Sequence, residues 1–227
     1  MLDLPSSCVF PDGLDAAGFL RKYWQQSALL MAQAFPDFDT PLPADELAGL
    51  SLEPGTTPRL ITKDAAGEFR LEYGPFEEDR FSTLGTRDWS LLVTDVEKHL
   101  PELRNILLAF AFLPSWRIDD VMVSYAPDGA SVGAHVDDYD VFLLQASGER
   151  RWLIEDKVRD HVQSTQGDLR LVEDFSPSKD LILSPGDMLY LPPGIAHHGI
   201  AVGDNCTTWS IGFRAPAKDE LVLKLYR

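Results

Sequence analysis

The sequence predicts an α+β fold: helices and a hairpin first, then a β-sheet sandwich or jelly roll. Two observations carry this. Residues 15–35 and Leu91–Phe112 carry apolar residues at three- and four-residue spacing, whereas from Trp116 onward short β-prone runs follow one another, most of them punctuated by glycine or proline. A length of 227 residues fits one large β-rich domain or two small ones.

The elements are expected in this order. Asp15 followed by Phe19-Leu20-Arg21-Lys22-Tyr23-Trp24 opens a helical stretch over residues 15–35. Pro41 to Leu50 reads as a second, short helix ending near Gly55. Arg59–Thr62 and Phe69–Tyr73 read as strands joined through Asp64-Ala65-Ala66-Gly67, a hairpin signal. Leu91–Phe112 reads as mainly helical, because Leu92, Val96, Leu100, Leu103 and Leu107 keep helical spacing; Pro101 is the place for a break. Strands are then expected at Val121–Tyr125, Val132–Leu144, Arg150–Glu155, Leu181–Leu183, Met188–Leu191, Ile200–Val202 and Thr207–Arg214. Lys218–Arg227 reads as the start of a helix.

Composition narrows the function classes. With 36 acidic against 20 basic residues, the net charge of −16 repels a phosphate backbone and argues against a general nucleic-acid binder. The same charge attracts a basic protein partner. No apolar run approaches the roughly 18 residues of a membrane span, and Met1-Leu2-Asp3-Leu4-Pro5 has no export-signal pattern, so a cytoplasmic location is expected. Cys8 and Cys206 are far apart, lack metal-site spacing, and are expected to stay reduced.

Chemistry concentrates at His135-Val136-Asp137. On a strand, alternate side chains leave the same face, so the imidazole and the carboxylate would point together into one cavity. A third ligand is expected from His197 or His198, after the Pro192-Pro193-Gly194 turn; adjacent strand residues face opposite ways, so only one can serve. Two imidazoles and one carboxylate, with no thiolate, suit Fe(II), Mn(II), Ni(II) or Zn(II), and leave three positions of an octahedral ion open. A two-oxygen chelating co-substrate and O₂ would fill them. A chelating oxo-acid would need a cation for its far carboxylate. Gly148-Glu149-Arg150-Arg151-Trp152 offers two arginines, of which one can face inward, and Ser124 could add a hydrogen bond.

Several blocks together resemble a known family. Trp116–Tyr125, Gly133–Phe142, Gly148–Trp152, Pro185–Gly194 and Ile211–Pro216 look like the bacterial ribosomal oxygenases, and so do Asp45–Leu50, Gly74-Pro75-Phe76 and Trp89–Val93. These are cupin-like Jumonji-C enzymes built on a double-stranded β-helix and dependent on Fe(II), 2-oxoglutarate and O₂. The resemblance implies that His135, Asp137 and His197 are the metal ligands and catalytic centre. It also implies that Arg150, assisted by Ser124, pairs with the far carboxylate of 2-oxoglutarate. Arginine here departs from the lysine common in histone-directed relatives, which speaks against a demethylase. The implied substrate is a basic ribosomal protein: an arginine of large-subunit ribosomal protein sixteen, hydroxylated at its β-carbon.

The resemblance divides the chain into N-terminal helical and strand elements (1–115), a catalytic core (116–216) and the start of a C-terminal helix (217–227). Family members continue into a helical dimerisation segment and a winged-helix domain. This chain therefore reads as a short or truncated member, with a homodimer expected only where that C-terminal region is present. Two other functions compete: a cupin dioxygenase or isomerase that does not use 2-oxoglutarate, and a ribosome-binding module with a vestigial metal site.

Overall fold

A computed structural model describes residues 4–159, 169 and 171–215. The helix expected at Lys218–Arg227 lies outside the described residues, as does His161. The N-terminal elements are α1 (Ala16–Lys22), β1 (Leu29–Met31), α2 (Ala44–Leu50), β2 (Thr57–Lys63), β3 (Phe69–Tyr73) and α3 (Glu78–Ser82). Next come β4 (Trp89–Thr94), α4 (Val96–His99) and two 3-10 segments, Pro101–Phe110 and Ser115–Arg117. The remaining strands are β5 (Ile118–Ala126), β6 (Asp140–Val158), β7 (Lys179–Leu183), β8 (Met188–Leu191) and β9 (Ile195–Phe213). Among the described residues no helix is long and apolar enough to cross a membrane.

Two helical expectations are corrected. Asp15 does cap α1, its carboxylate accepting from the Gly18 N–H at 2.7 Å, but the helix stops at Lys22 and the chain turns at Gln25, where φ is +59°. Leu29–Met31 then pairs as an edge strand with β8. Leu91–Thr94 is strand rather than helix. Leu91, Leu92 and Val93 are all buried because Leu91 and Val93 enter the main core while Leu92 faces the cavity on the other side of the sheet, so no alternation survives to mark it as a strand. Helix begins only after Asp95, in the left-handed region at φ +63°, and from Pro101 it winds as 3-10.

The strands run in the order β1-β8-β6-β9-β5-β4-β2-β3, with β7 also on β6, and every pairing is antiparallel. β6 and β9 are 19 residues each and have two working halves. Asp140–Leu144 lies against β8 and the end of β9, whereas Arg150–Ile154 lies against β7 and the start of β9. The register shifts between, at Gln145–Glu149. Gly148 stands in that bend at φ +59°, and a Cβ there would lie 2.8 Å from the Asn205 carbonyl oxygen. Runs that look separate in the sequence, Arg150–Glu155 from residues 140–144 and Ile200–Val202 from Thr207–Arg214, are thus continuous bent strands. Conversely, residues 132–139 are not a regular strand; Ser131 and His135 make isolated bridges only.

Alternation along β6 separates core from cavity. Phe142 and Leu144 enter the main core, where Phe142 packs 4.9 Å from the rings of Phe110 and Tyr190 beneath α1 and the 3-10 segment. Val141 and Leu143 face the other way, into the cavity. Between them the fully buried Asp140 accepts from Tyr190 Oη at 2.6 Å, Gln25 Nε2 at 3.0 Å and Arg117 Nη2 at 3.1 Å. This carboxylate closes the core.

Candidate metal centre and its cavity

A cavity of about 210 Å³ lies between the two halves of the bent sheet. Ile61 of β2, Ser90 and Leu92 of β4, Met122 and Ser124 of β5, and Thr208 and Ser210 of β9 line one wall. Arg150 and Trp152 of β6, together with His135, Asp137 and His197, line the other. On each strand the lining positions are two apart, as the pleat requires.

His135 and His197 face each other across a single β-bridge. The His135 N–H donates to the His197 carbonyl at 3.0 Å, and the His197 N–H to the His135 carbonyl at 2.9 Å. The Gly194 N–H of the Pro192-Pro193-Gly194 turn donates to the Asp137 carbonyl at 2.9 Å and fastens the third residue beside them. The imidazole centroids are 4.3 Å apart, and His197 Nε2 lies 3.6 Å from Asp137 Oδ2. One nitrogen or oxygen from each of the three residues falls within 4.8 Å of the others.

The tautomers follow from the backbone. His135 Nδ1 is 3.0 Å from the Gly133 carbonyl and His197 Nδ1 is 3.0 Å from the Ile195 carbonyl. A carbonyl only accepts, so each Nδ1 carries the proton and each Nε2 keeps its lone pair for the cavity. Burial, and then repulsion from His135, pushes His197 down to about 4, so this imidazole is neutral at pH 7. Two imidazole nitrogens and one carboxylate oxygen on the cavity wall fit a divalent transition ion. His198 points away from this cavity, packing 6.0 Å from the Phe175 ring and lining a second, outer cleft.

Arg150 and Arg151 diverge likewise. Arg151 is exposed and forks onto Asp180, with Nε at 2.8 Å from Oδ1. Arg150 is only 4% exposed and lines the cavity; its Nε donates to Cys206 Sγ at 3.2 Å, and its buried Nη2 has no hydrogen-bond partner among the described residues. A buried guanidinium N–H left open in this way costs free energy until an anion reaches it. Ser124 lines the opposite wall of the same cavity, its hydroxyl making a long 3.4 Å bond to the Thr208 carbonyl. The donor set and the open guanidinium thus fit a metal ion and an acid bound together.

A JmjC domain profile matches residues 105–221, just over half of the chain. The chain belongs to the JmjC family. Over 204 residues it is 39% identical to the ribosomal protein uL16 3-hydroxylase of Escherichia coli (strain K12), a match covering 90% of this chain and 54% of that protein. It is 35% identical over 214 residues to a probable ribosomal oxygenase of Haemophilus influenzae, covering 93% of this chain and 52% of the other. The solved structure of E. coli YcfD, a ribosomal oxygenase in complex with cobalt and 2-oxoglutarate, matches with a TM-score of 0.84 at 37% identity, covering 94% of this chain and 55% of that one. The chain spans about half the length of the curated relatives it matches. The resemblance read from the motif blocks therefore holds along the chain, and so does the jelly-roll architecture.

Sequence reasoning missed Ser90 on the wall of this JmjC cavity, and Gln145 and Cys206, which hydrogen-bond to its lining residues Thr208 and Arg150. Ser90 Oγ, like Trp152 Nε1, is buried on the cavity wall without a hydrogen-bond partner among the described residues. Nothing local in the sequence marks these residues, because their neighbours arrive from distant strands. Gly199 was also passed over. It pairs with Trp152, and a Cβ at Gly199 would lie 2.8 Å from the Trp152 ring and 3.1 Å from Arg150 Cδ. Gly199→Ala is expected to displace both side chains, lower stability by about 1–3 kcal/mol and weaken binding of any carboxylate held by Arg150. Urea denaturation and ligand titration of the variant check this; parental values in both would refute it.

Acidic residues beside the site differ in state. Asp119 pairs with Arg214 at 2.7 Å. Burial, then repulsion from Asp119, Asp95 and Glu97, pushes the Asp120 carboxyl from 3.8 up to about 6. Above pH 6 Asp120 is ionised in both folded and unfolded chains, and folding bears the full cost. Between about 4 and 6 the folded chain binds the extra proton, so this contribution to stability rises on acidification. Asp120→Asn is expected to stabilise the protein at pH 7.5 by about 1–2 kcal/mol and to flatten the stability difference between pH 5 and pH 7.5. Denaturation curves at the two pH values would show it; an unchanged difference would contradict it.

Proposed function

We propose that this JmjC chain is an Fe(II)- and 2-oxoglutarate-dependent protein hydroxylase that adds a hydroxyl to the β-carbon of an arginine in a large-subunit ribosomal protein. One observation carries the reading: Arg150, buried and with an Nη2 that has no partner among the described residues, lines the cavity that also holds His135, Asp137 and His197. A metal-chelating acid with a second carboxylate would satisfy both ends at once. A cupin dioxygenase or isomerase working without such an acid would leave the guanidinium buried for nothing. A ribosome-binding module with a vestigial site would have no need of a complete, tautomer-locked triad.

In this reading His135, Asp137 and His197 hold the ion, and Arg150, with Ser124, receives the far carboxylate of 2-oxoglutarate. Iron, 2-oxoglutarate and O₂ together supply the oxidising power when bound. The chain's own residues do the positioning. Gly133 and Ile195 carbonyls keep the imidazoles oriented, the bridge between His135 and His197 fixes their separation, and Val141, Leu143 and Trp152 exclude water from the wall beside them. We take residues 116–216 as the catalytic core, with residues 1–115 packed on it.

The net charge of −16 suits a basic partner and disfavours free nucleic acid, so the substrate is taken to be a ribosomal protein in the cytoplasm. The names of the relatives, a uL16 3-hydroxylase and a ribosomal oxygenase bound to cobalt and 2-oxoglutarate, support the same reading. Substrate oxidation is expected to release one succinate per hydroxyl formed. Oxidation of a basic ribosomal protein without succinate would replace this proposal with the 2-oxoglutarate-independent one.

A further inference from the structure

We propose that Cys206, backed by Gln145, is a positioning residue: its sulfur occupies the Arg150 Nε–H and so turns the open Nη2 toward the far carboxylate of a 2-oxo dicarboxylic acid. The inference rests on the co-substrate reading above and adds to it the residue that sets the guanidinium's orientation and charge.

Other arginines of this chain show the alternative. Arg80, Arg151 and Arg159 each grip a carboxylate through Nε and Nη2 together, on Glu72, Asp180 and Glu155 respectively. Arg150 differs. Its Nε donates to Cys206 Sγ at 3.2 Å, its Nη2 is left open, and no ion pair with a carboxylate is seen for it among the described residues. A thiol sulfur is a weak, uncharged acceptor. It can orient the guanidinium without neutralising it, so the whole positive charge stays available to a ligand.

The sulfur is itself held. Cys206 is fully buried, and Gln145 Nε2 approaches its Sγ at 3.5 Å while donating to the Ser147 carbonyl at 2.8 Å. Gln145 Oε1 in turn accepts from Thr208 Oγ1 at 3.0 Å, on the cavity wall. With Nε committed, the two-point Nε/Nη2 grip used elsewhere in the chain is closed. The incoming carboxylate must be met from the Nη side, which fixes how far from the metal ligands it sits. Cys206 thereby favours an acid of one length.

The test measures binding rather than turnover, by calorimetry on the full chain with Zn(II) as the metal. Two ligands are compared: 2-oxoglutarate and 2-oxovalerate, which has the same chain but no far carboxylate. The parent should bind 2-oxoglutarate much the tighter. Cys206→Ala should weaken 2-oxoglutarate about tenfold, the scale of one hydrogen bond to a charged group, and leave 2-oxovalerate unchanged. Cys206→Ser, which keeps an acceptor, should restore 2-oxoglutarate binding to within about threefold of the parent. Equal weakening of both ligands, or of neither, in Cys206→Ala would overturn the inference and leave the co-substrate reading intact. A parent that does not distinguish the two ligands would overturn both.

Discussion

Asp137→Ala is expected to cut hydroxylation at least about 100-fold and to abolish tight binding of a divalent ion, while the protein stays folded. Asp137 supplies the triad's one carboxylate, and without it the two imidazoles face the ion with no compensating charge. The side chain is dispensable for the fold for a specific reason. The turn after β8 is fastened through the Asp137 main-chain carbonyl, which accepts from the Gly194 N–H at 2.9 Å and survives the substitution. Equilibrium dialysis against a divalent metal, a thermal melt and product analysis separate these effects. A folded variant that keeps its metal and its activity would remove Asp137 from the site.

Arg150→Met should have the second largest effect, raising KM for 2-oxoglutarate by about 100-fold and lowering kcat far less, since a charge-assisted contact to the far carboxylate is lost. Its effect on stability should be small or favourable. The ligand-free chain buries a guanidinium with an open N–H, and replacing such a group by an apolar side chain of similar length is often neutral or stabilising. We therefore expect unfolding free energy within about 1 kcal/mol of the parent, or above it. A variant that fails to fold, or that binds 2-oxoglutarate as the parent does, would make Arg150 a structural residue.

The contrast between those two residues shows what the sequence could convey. Turn chemistry was legible: Gly186 and Gly194 take positive φ where Pro185-Gly186 and Pro193-Gly194 stand, and Ala130 N–H closes the Pro127-Asp128-Gly129 turn at 3.0 Å. So was the pairing of His135 with Asp137, although for a different local reason. Residues 132–139 form no regular strand, and a single bridge to His197 does what strand alternation was expected to do.

Choices between neighbours were not legible. His197 against His198, and Arg150 against Arg151, are each decided by which face of a bent strand meets the cavity, and that depends on the register of β6 against β9. The resemblance to a family made both choices where periodicity could not. Burial misled the reading at β4. A strand covered on both faces shows no alternation, so Leu91, Leu92 and Val93 merged with the helical spacing that follows. Cys206 was invisible as a site residue because Arg150 reaches it across 56 positions of sequence.

The most direct test of the central claim is mass spectrometry of ribosomal protein uL16 after incubation with the chain, Fe(II), 2-oxoglutarate and O₂. The account requires a gain of one oxygen atom on a single arginine-containing peptide, localised to the arginine β-carbon and absent with Asp137→Ala. No oxygen gained on uL16 or any other ribosomal protein, by a chain shown to hold metal and 2-oxoglutarate, would contradict it.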